Sequence, residues 1–306
     1  MRSDTTTVAS PADGTALFVR TWLPEDAPRA VVQIAHGMAE HSARYARFAE
    51  ALTDAGFAVW ANDHRGHGQT STAPEDRGYF ADGDGWGVAV DDLQAVADAA
   101  RAAHPGLPLF FFGHSMGSML GRDHVSRHGD QLAGAIFSGT AGDQGLLGKV
   151  GVRLAAAEAR LRGRRAVSPL LDKLTFGSYN NAFKPARTQF DWLSRDPAEV
   201  DAYVADPRCG EVFTAGFFTD LIGGLNRLPG LAGHYRADLP MLFLSGDRDP
   251  VGGNGKGVRE AAEAVRAGGV TDLTCTLYPG ARHELLNEVI RDRVTADVIA
   301  WLDAHL

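Results

Sequence analysis

Cysteine is scarce in this 306-residue chain, and long apolar runs are missing from it. The two cysteines, Cys209 and Cys275, are too few for a disulfide framework and lack metal-ligand spacing, so we expect a reducing compartment and no metal site. No apolar stretch is long enough to cross a bilayer, and Met1–Thr7 lacks the apolar core of a signal peptide. We therefore expect a soluble, cytoplasmic protein.

The chain also lacks an excess of basic residues. It has 30 lysines and arginines against 38 aspartates and glutamates, and its formal net charge at pH 7 is −8. Binding to phosphates needs a basic field, so we expect no nucleic-acid partner. The length and an apolar fraction of 44% suffice for one large α/β domain with an inserted subdomain, or for two smaller domains.

The most informative stretch is Leu109–Leu120, with the sequence LFFFGHSMGSML. Its first four residues predict a strand buried on both faces, and the residues after Gly117 have helical spacing. Ser115 would then lie on the turn between strand and helix, within the pattern Gly113-x-Ser115-x-Gly117. This pattern is typical of a nucleophile elbow, in which glycines permit a tight turn and leave the serine hydroxyl exposed. An ordinary glycine-rich turn is the alternative.

The rest of the chain predicts an α/β fold that is interrupted once. After an N-terminal hairpin, predicted strands and helices alternate up to residue 138, and the alternation returns with the strand Met241–Ser245. The interval between them is helical or irregular. We therefore predict a mostly parallel central sheet flanked by helices, formed by residues 1–138 and 238–306, with a helical cap, residues 139–237, inserted after the sixth strand.

A serine nucleophile needs an imidazole that takes its proton and a carboxylate that orients the imidazole. Asp249 and His283 each follow a predicted strand, as Ser115 does, and the order Ser, Asp, His is that of α/β-hydrolases. We therefore predict Ser115, Asp249 and His283 as the catalytic residues. Asp247, closer to the strand end, is interpreted as a turn cap, and Asp143 is a weaker alternative acid.

The segment His36–Tyr45, which follows the first buried strand of the core, is the candidate for the oxyanion loop. In acyl-transfer enzymes one backbone N–H from such a loop and one from the residue after the serine hold the oxyanion, which predicts Met38 and Met116 as donors. A simple strand end at His-Gly is the alternative. Three residues beside these donors, together with residues of the cap, are interpreted as substrate-binding: His36, Gly37 and His114.

A glycine-rich loop after the next predicted strand contains His64 and His67 beside Asp63. Two histidines near a carboxylate can bind a metal, but no third ligand stands at a fixed spacing here. We interpret Asn62–Ser71 as a structural loop that braces the active site.

The predicted cap carries a run of basic residues that is opposed only by Glu158 and Asp172: Lys149, Arg153, Arg160, Arg162, Arg164, Arg165 and Lys173. A basic, partly apolar helix on an acidic protein fits transient contact with an anionic membrane surface. A solvated helix face is the alternative, because no stripe of tryptophan or phenylalanine accompanies the charges.

Three motifs together resemble the monoacylglycerol lipase and lysophospholipase branch of the α/β-hydrolase superfamily: HGMAEHSARY at 36–45, DHRGHG at 63–68 and GHSMG at 113–117. Tyr179–Thr188 and Phe190–Asp196 resemble the cap of bacterial lysophospholipases of this branch. The resemblance implies the same catalytic residues, the same oxyanion donors and a lipid-facing cap. Ala39 and Ala43 depart from the pattern, since this branch often has glycine at both positions.

The predicted activity is hydrolysis of a carboxylic ester through an acyl-enzyme, on a monoacylglycerol or a similar single-chain lipid ester, without a cofactor. The alternatives are a lysophospholipase, a short-chain esterase, an amide or peptide hydrolase and an acyltransferase, because one triad serves all of these reactions. A catalytically silent, ligand-binding α/β-hydrolase is the alternative outside enzymes.

Overall fold

A computed structural model describes residues 1–306, and one eight-stranded sheet forms its centre. The strands in chain order are β1 (Arg2–Ala9), β2 (Ala16–Leu23), β3 (Ala30–Ala35), β4 (Phe57–Asn62), β5 (Leu109–His114), β6 (Gly134–Ser138), β7 (Met241–Gly246) and β8 (Leu273–Tyr278). Their spatial order is β1-β2-β4-β3-β5-β6-β7-β8, and only the β1–β2 and β2–β4 pairs are antiparallel. The predicted fold class is confirmed.

Helices cover both faces of the sheet. They are α1 (Ala46–Asp54), α2 (Gly85–Ala103), α3 (Met116–His128), α4 (Gly145–Arg162), α5 (Pro169–Phe176), α6 (Pro197–Ala205), α7 (Ala215–Arg227), α8 (Lys256–Ala267) and α9 (Arg291–Ala304). Side chains of β5 alternate between two apolar layers: Phe111 belongs to the layer that contains residues of α2, α3 and α8, whereas Phe110 and Phe112 belong to the layer that contains residues of α1 and α9. Burial on both faces explains why this strand is a continuous apolar run.

The segment between β6 and β7 contains α4 to α7 and contributes no strand to the sheet. It joins the core mainly through α7, whose Phe217 and Phe218 are fully buried in the larger apolar layer. A Cβ atom on Gly224 would lie only 2.0 Å from the Trp86 ring of α2, so a glycine is needed for this close approach. None of the nine α-helices combines the length and the hydropathy that a bilayer crossing requires.

The parallel strands bring distant segments to one edge of the sheet. Ser115, Asp249 and His283 lie in loops that follow the carboxyl ends of β5, β7 and β8, and the loop His36–His41 follows β3. Ligands of open α/β sheets bind at this edge. The arrangement therefore concentrates the predicted site residues beneath the helices of the cap.

Candidate active site

Ser115 occupies a sharp turn between β5 and α3. Its φ of +50° and ψ of −121° are values that a residue with a Cβ atom rarely adopts, and strain of this kind is frequent at functional positions. A Cβ on Gly117 would lie 2.1 Å from the Ala35 carbonyl oxygen, so this glycine lets α3 approach β3. The Ser115 N–H donates to the Ser138 carbonyl at 2.8 Å. The predicted strand, turn and helix are therefore all present.

Asp249 and His283 form a buried pair. The distance from His283 Nδ1 to Asp249 Oδ2 is 2.9 Å, and His283 and Asp249 are 2% and 0% exposed. The other oxygen of Asp249 accepts from the Val251 N–H at 2.9 Å. Burial of the imidazole favours its neutral form, but the charge of Asp249 and its hydrogen bond outweigh this effect and raise the pKa of His283.

The hydroxyl of Ser115 lies in the same cavity as His283. The structure brings Asp249 and His283 into contact, whereas it shows no hydrogen bond between Ser115 and His283. Such bonds are often long or absent before substrate binds. The arrangement places a candidate nucleophile and a candidate base on two loops around one cavity, with the candidate acid hydrogen-bonded to the base.

The two candidate oxyanion donors, the Met38 and Met116 N–H groups, make no hydrogen bond within the chain. Met116 begins α3, where the first N–H groups of a helix have no partner in the helix and the helix dipole favours negative charge. The neighbouring Gly37 N–H is occupied by Glu40 Oε1 at 2.6 Å. A Cβ on Gly37 would lie 3.2 Å from the Ser115 Cβ, so the loop runs directly beside the serine.

The rival acids do not reach His283. Asp247 Oδ1 accepts from the Gly280 N–H at 2.7 Å and so ties the turn after β7 to the turn after β8. Asp143 is exposed and accepts from the Gly145 N–H at 2.8 Å, at the start of α4. Of the three aspartates considered, only Asp249 contacts the imidazole.

Of the predicted substrate-binding residues outside the cap, Gly37 and His114 line the cavity, but His36 does not. The His36 side chain is fully buried, and its Nε2 accepts from the His64 N–H at 2.9 Å. Its ring packs against His64 and His67, and burial lowers the pKa of these two to about 3 and about 4. The structure therefore places His36 outside the cavity, in a buried histidine cluster whose lowered pKa values favour the neutral imidazoles.

The cavity has a volume of about 440 Å³, within the roughly 300–1,000 Å³ that is typical of small-molecule sites. Its cap side combines aromatic residues with polar ones. The aromatic residues are Phe176, Phe190, Trp192 and Tyr203. The polar residues are Asp172, Asn180, Asn181, Lys184, Thr188, Gln189 and Glu211.

A cap segment holds the loop of His283, the candidate base, and the sequence did not predict this contact. The backbone carbonyls of Trp192 and Leu193 accept from the N–H groups of His283 and Glu284 at 3.4 and 2.8 Å. The Trp192 ring also packs on the His283 ring, with centroids 5.1 Å apart. The position of His283 therefore depends on the cap.

The sequence also did not predict a buried charge network at the cavity wall, formed by Glu40, Arg44 and Glu284. Both carboxylate oxygens of Glu284 accept from Arg44 at 2.7 Å, and Arg44 also donates to Glu40 at 2.6 Å. Glu284 directly follows His283 in the loop after β8 and is only 5% exposed. The i, i+4 spacing of Glu40 and Arg44 was the one available signal.

Comparisons with known proteins agree with this geometry. The family model described as "Serine aminopeptidase, S33" matches residues 26–290. The chain is 31% identical to a monoacylglycerol lipase of Mycolicibacterium smegmatis, over 96% of this chain and 95% of that protein. It is 28% identical to the human monoglyceride lipase, over 95% and 88% of the two chains. A solved carboxyl esterase from Bacillus coagulans superposes with a TM-score of 0.92 at 27% identity, over 99% of both chains.

Proposed function

The chain belongs to the S33 serine aminopeptidase family of α/β-hydrolases, and on this premise we propose that it is a serine hydrolase that cleaves monoacylglycerols or closely related single-chain lipid esters. The observation that carries the proposal is the buried Asp249–His283 pair, because its imidazole lines the same cavity as a serine on a strained strand-to-helix turn. The monoacylglycerol and monoglyceride lipases among its relatives support the choice of substrate class.

In the proposed mechanism Ser115 Oγ attacks the ester carbonyl while His283 Nε2 takes the hydroxyl proton. The resulting oxyanion accepts hydrogen bonds from the Met38 and Met116 N–H groups. The C–O bond to the alcohol breaks, and His283 returns the proton to the departing alcohol. Water, deprotonated by His283, then attacks the acyl-enzyme, and release of the fatty acid restores the Ser115 hydroxyl. Asp249 keeps the imidazole in the required tautomer and stabilises its protonated form.

The composition of the cavity supports a lipid with one chain and a small polar head. Phe176, Phe190 and Trp192 offer apolar surface for an acyl chain. Asn180, Asn181 and other polar side chains provide hydrogen-bonding groups that suit the hydroxyls of a glycerol head. A volume of about 440 Å³ leaves little room for a second long chain.

The proposal is tested by a hydrolysis profile over p-nitrophenyl esters of increasing chain length, monoacylglycerol, lysophosphatidylcholine and an aminoacyl anilide, with Ser115→Ala as the blank. We expect turnover of monoacylglycerol and a preference for medium or long acyl chains. Faster turnover of lysophosphatidylcholine would make the enzyme a lysophospholipase. Cleavage of only the anilide or of very short esters would contradict the lipid assignment.

We also propose that the cap contacts an anionic lipid surface transiently. Several side chains of α4 and α5 are exposed although they are apolar: Leu146, Leu147, Val150, Leu161, Leu170 and Leu174. Arg162 and Arg164 pair within the chain, with Glu158 and Asp220. Four basic residues of the same region are exposed and form no ion pair: Lys149, Arg153, Arg160 and Lys173. Apolar side chains flanked by free cations suit an interface with anionic head groups.

This contact is tested by sedimentation with vesicles that contain phosphatidylserine. Leu147 and Leu161 are 84% and 86% exposed. Replacing both by serine should weaken binding about tenfold, because each substitution removes apolar side-chain surface that would be transferred from water into the membrane. Val289→Ser, at an exposed site outside the cap, is the matched control. Equal binding to vesicles without anionic lipid, or no loss in the double variant, would contradict the proposal.

A further inference from the structure

Ala39, in the candidate oxyanion loop, has an unusual backbone conformation. Its φ of +58° lies in the left-handed region, which is costly for a residue with a Cβ atom and easy for glycine. Ala39 directly follows Met38, the candidate oxyanion donor. Position 39 is also one of the two at which this chain departs from the glycine that its branch often carries. The conformation therefore needs support that a glycine would not require.

The cap supplies this support. The Ala39 carbonyl oxygen accepts from the Tyr203 hydroxyl at 2.9 Å and from the Gly210 N–H at 3.0 Å. Tyr203 belongs to α6 and Gly210 follows that helix, so both donors belong to the cap segment. On the other side of Met38, the Gly37 N–H donates to the Glu40 carboxylate at 2.6 Å. The residues before and after Met38 are therefore both held by hydrogen bonds, whereas the Met38 N–H itself has no partner.

The Tyr203 side chain is itself firmly placed. Its ring packs against Phe190 at a centroid distance of 5.0 Å, and the Arg44 guanidinium lies 4.9 Å from the ring centre. The side chain is 5% exposed, and burial raises the pKa of its hydroxyl, so the group remains a donor over the working pH range. A fixed donor of this kind can hold a strained backbone conformation.

We propose that Tyr203 is a positioning residue whose hydroxyl holds Ala39 in the left-handed conformation and thereby keeps the Met38 N–H directed at the oxyanion. This inference rests on the proposed ester hydrolysis. On this proposal the oxyanion hole is complete only when α6 of the cap packs against the oxyanion loop. Loss of the hydroxyl removes one of the two donors to the Ala39 carbonyl and lets Ala39 relax to a negative φ. This displaces Met38, while the Tyr203 ring keeps its place in the cavity wall.

The test is a double-mutant cycle: Tyr203→Phe, Ala39→Gly and the double variant are compared with the unaltered enzyme on the best ester substrate. Removing one direct oxyanion donor costs about 100- to 1,000-fold in kcat, so loss of a supporting bond should cost about tenfold, with KM changed less than about twofold. Glycine adopts φ near +58° without the support. Tyr203→Phe should therefore lower kcat less than about threefold when Ala39→Gly is already present.

A second readout is the rate at which a fluorophosphonate labels Ser115, since its P=O oxygen occupies the oxyanion hole. The labelling rate should fall in Tyr203→Phe and be restored when Ala39→Gly is also present, in parallel with kcat. An equal loss with and without Ala39→Gly, or a loss confined to KM, would overturn the proposal and make Tyr203 a packing or substrate-contact residue. If the unaltered enzyme hydrolyses esters and Tyr203→Phe has its full kcat, the positioning role alone fails. If the unaltered enzyme hydrolyses no ester, the proposed function fails.

Discussion

Ser115→Ala is expected to lower kcat for ester hydrolysis by at least about 10⁴-fold, because the variant has no atom that can form the acyl-enzyme. What remains would come from binding and from the oxyanion donors. The fold should survive, since the Ser115 hydroxyl makes no hydrogen bond and alanine keeps the Cβ atom that the turn already accommodates. Steady-state kinetics and thermal unfolding measure the two effects separately.

The matched control for this variant is Ser126→Ala. Ser126 lies on the same helix, α3, and its hydroxyl donates to the Asp123 carbonyl at 2.7 Å, away from the cavity. Its replacement should leave kcat essentially unchanged and cost at most about 1 kcal/mol of stability. If Ser115→Ala instead keeps more than about one hundredth of the activity, another group is the nucleophile.

Much of the site could be predicted because it depends on strand ends. A buried strand such as β5 is recognisable as a run of apolar residues, and parallel strands present their carboxyl ends at one edge. Ser115, Asp249 and His283 could therefore be grouped without any knowledge of their distances. The choice of Asp249 over Asp247 depended on turn chemistry, and the contact with His283 agrees with it.

What could not be predicted is the set of contacts between the cap and the core. Glu284 and Arg44 are 240 residues apart, and Tyr203 lies 164 residues from the Ala39 carbonyl that it supports. No local periodicity records such pairs, because they arise only when the helices of the inserted segment settle on the sheet edge. The position of His36 outside the cavity has the same origin, since its burial depends on the distant loop that contains His64.

The basic run of the cap shows a related limit. Its seven basic residues lie close together in the sequence. In the structure some of them form ion pairs, mostly with residues that are distant in the sequence, and the others remain unpaired. Arg164 pairs with Asp220 at 2.8 Å, and Arg165 lies 3.6 Å from Asp76 of the core. The free charge available to a lipid surface is therefore smaller than the sequence indicated, and it is concentrated beside the exposed leucines of α4.

Asp249→Asn is expected to lower kcat by about 10³- to 10⁴-fold, whereas Asp247→Asn should lower it less than about tenfold. An asparagine amide next to His283 Nδ1 can donate to that nitrogen and leave the proton on Nε2, which then cannot accept a proton from Ser115. At position 247 the carbonyl of asparagine can still accept from the Gly280 N–H, as Asp247 does at 2.7 Å. Kinetics of the two variants on one ester decide between the two aspartates.

The pH dependence of the unaltered enzyme tests the same pair. Asp249 raises the pKa of His283 above its ordinary value of 6.5 despite burial, so the base becomes protonated and inactive as the pH falls through a value above 6.5. A plot of kcat/KM against pH should show its acidic limb there. In Asp249→Asn the limb should shift to lower pH, because the carboxylate that favours the protonated imidazole is gone. A shift in Asp247→Asn alone, together with the larger loss of kcat, would assign the acid to Asp247.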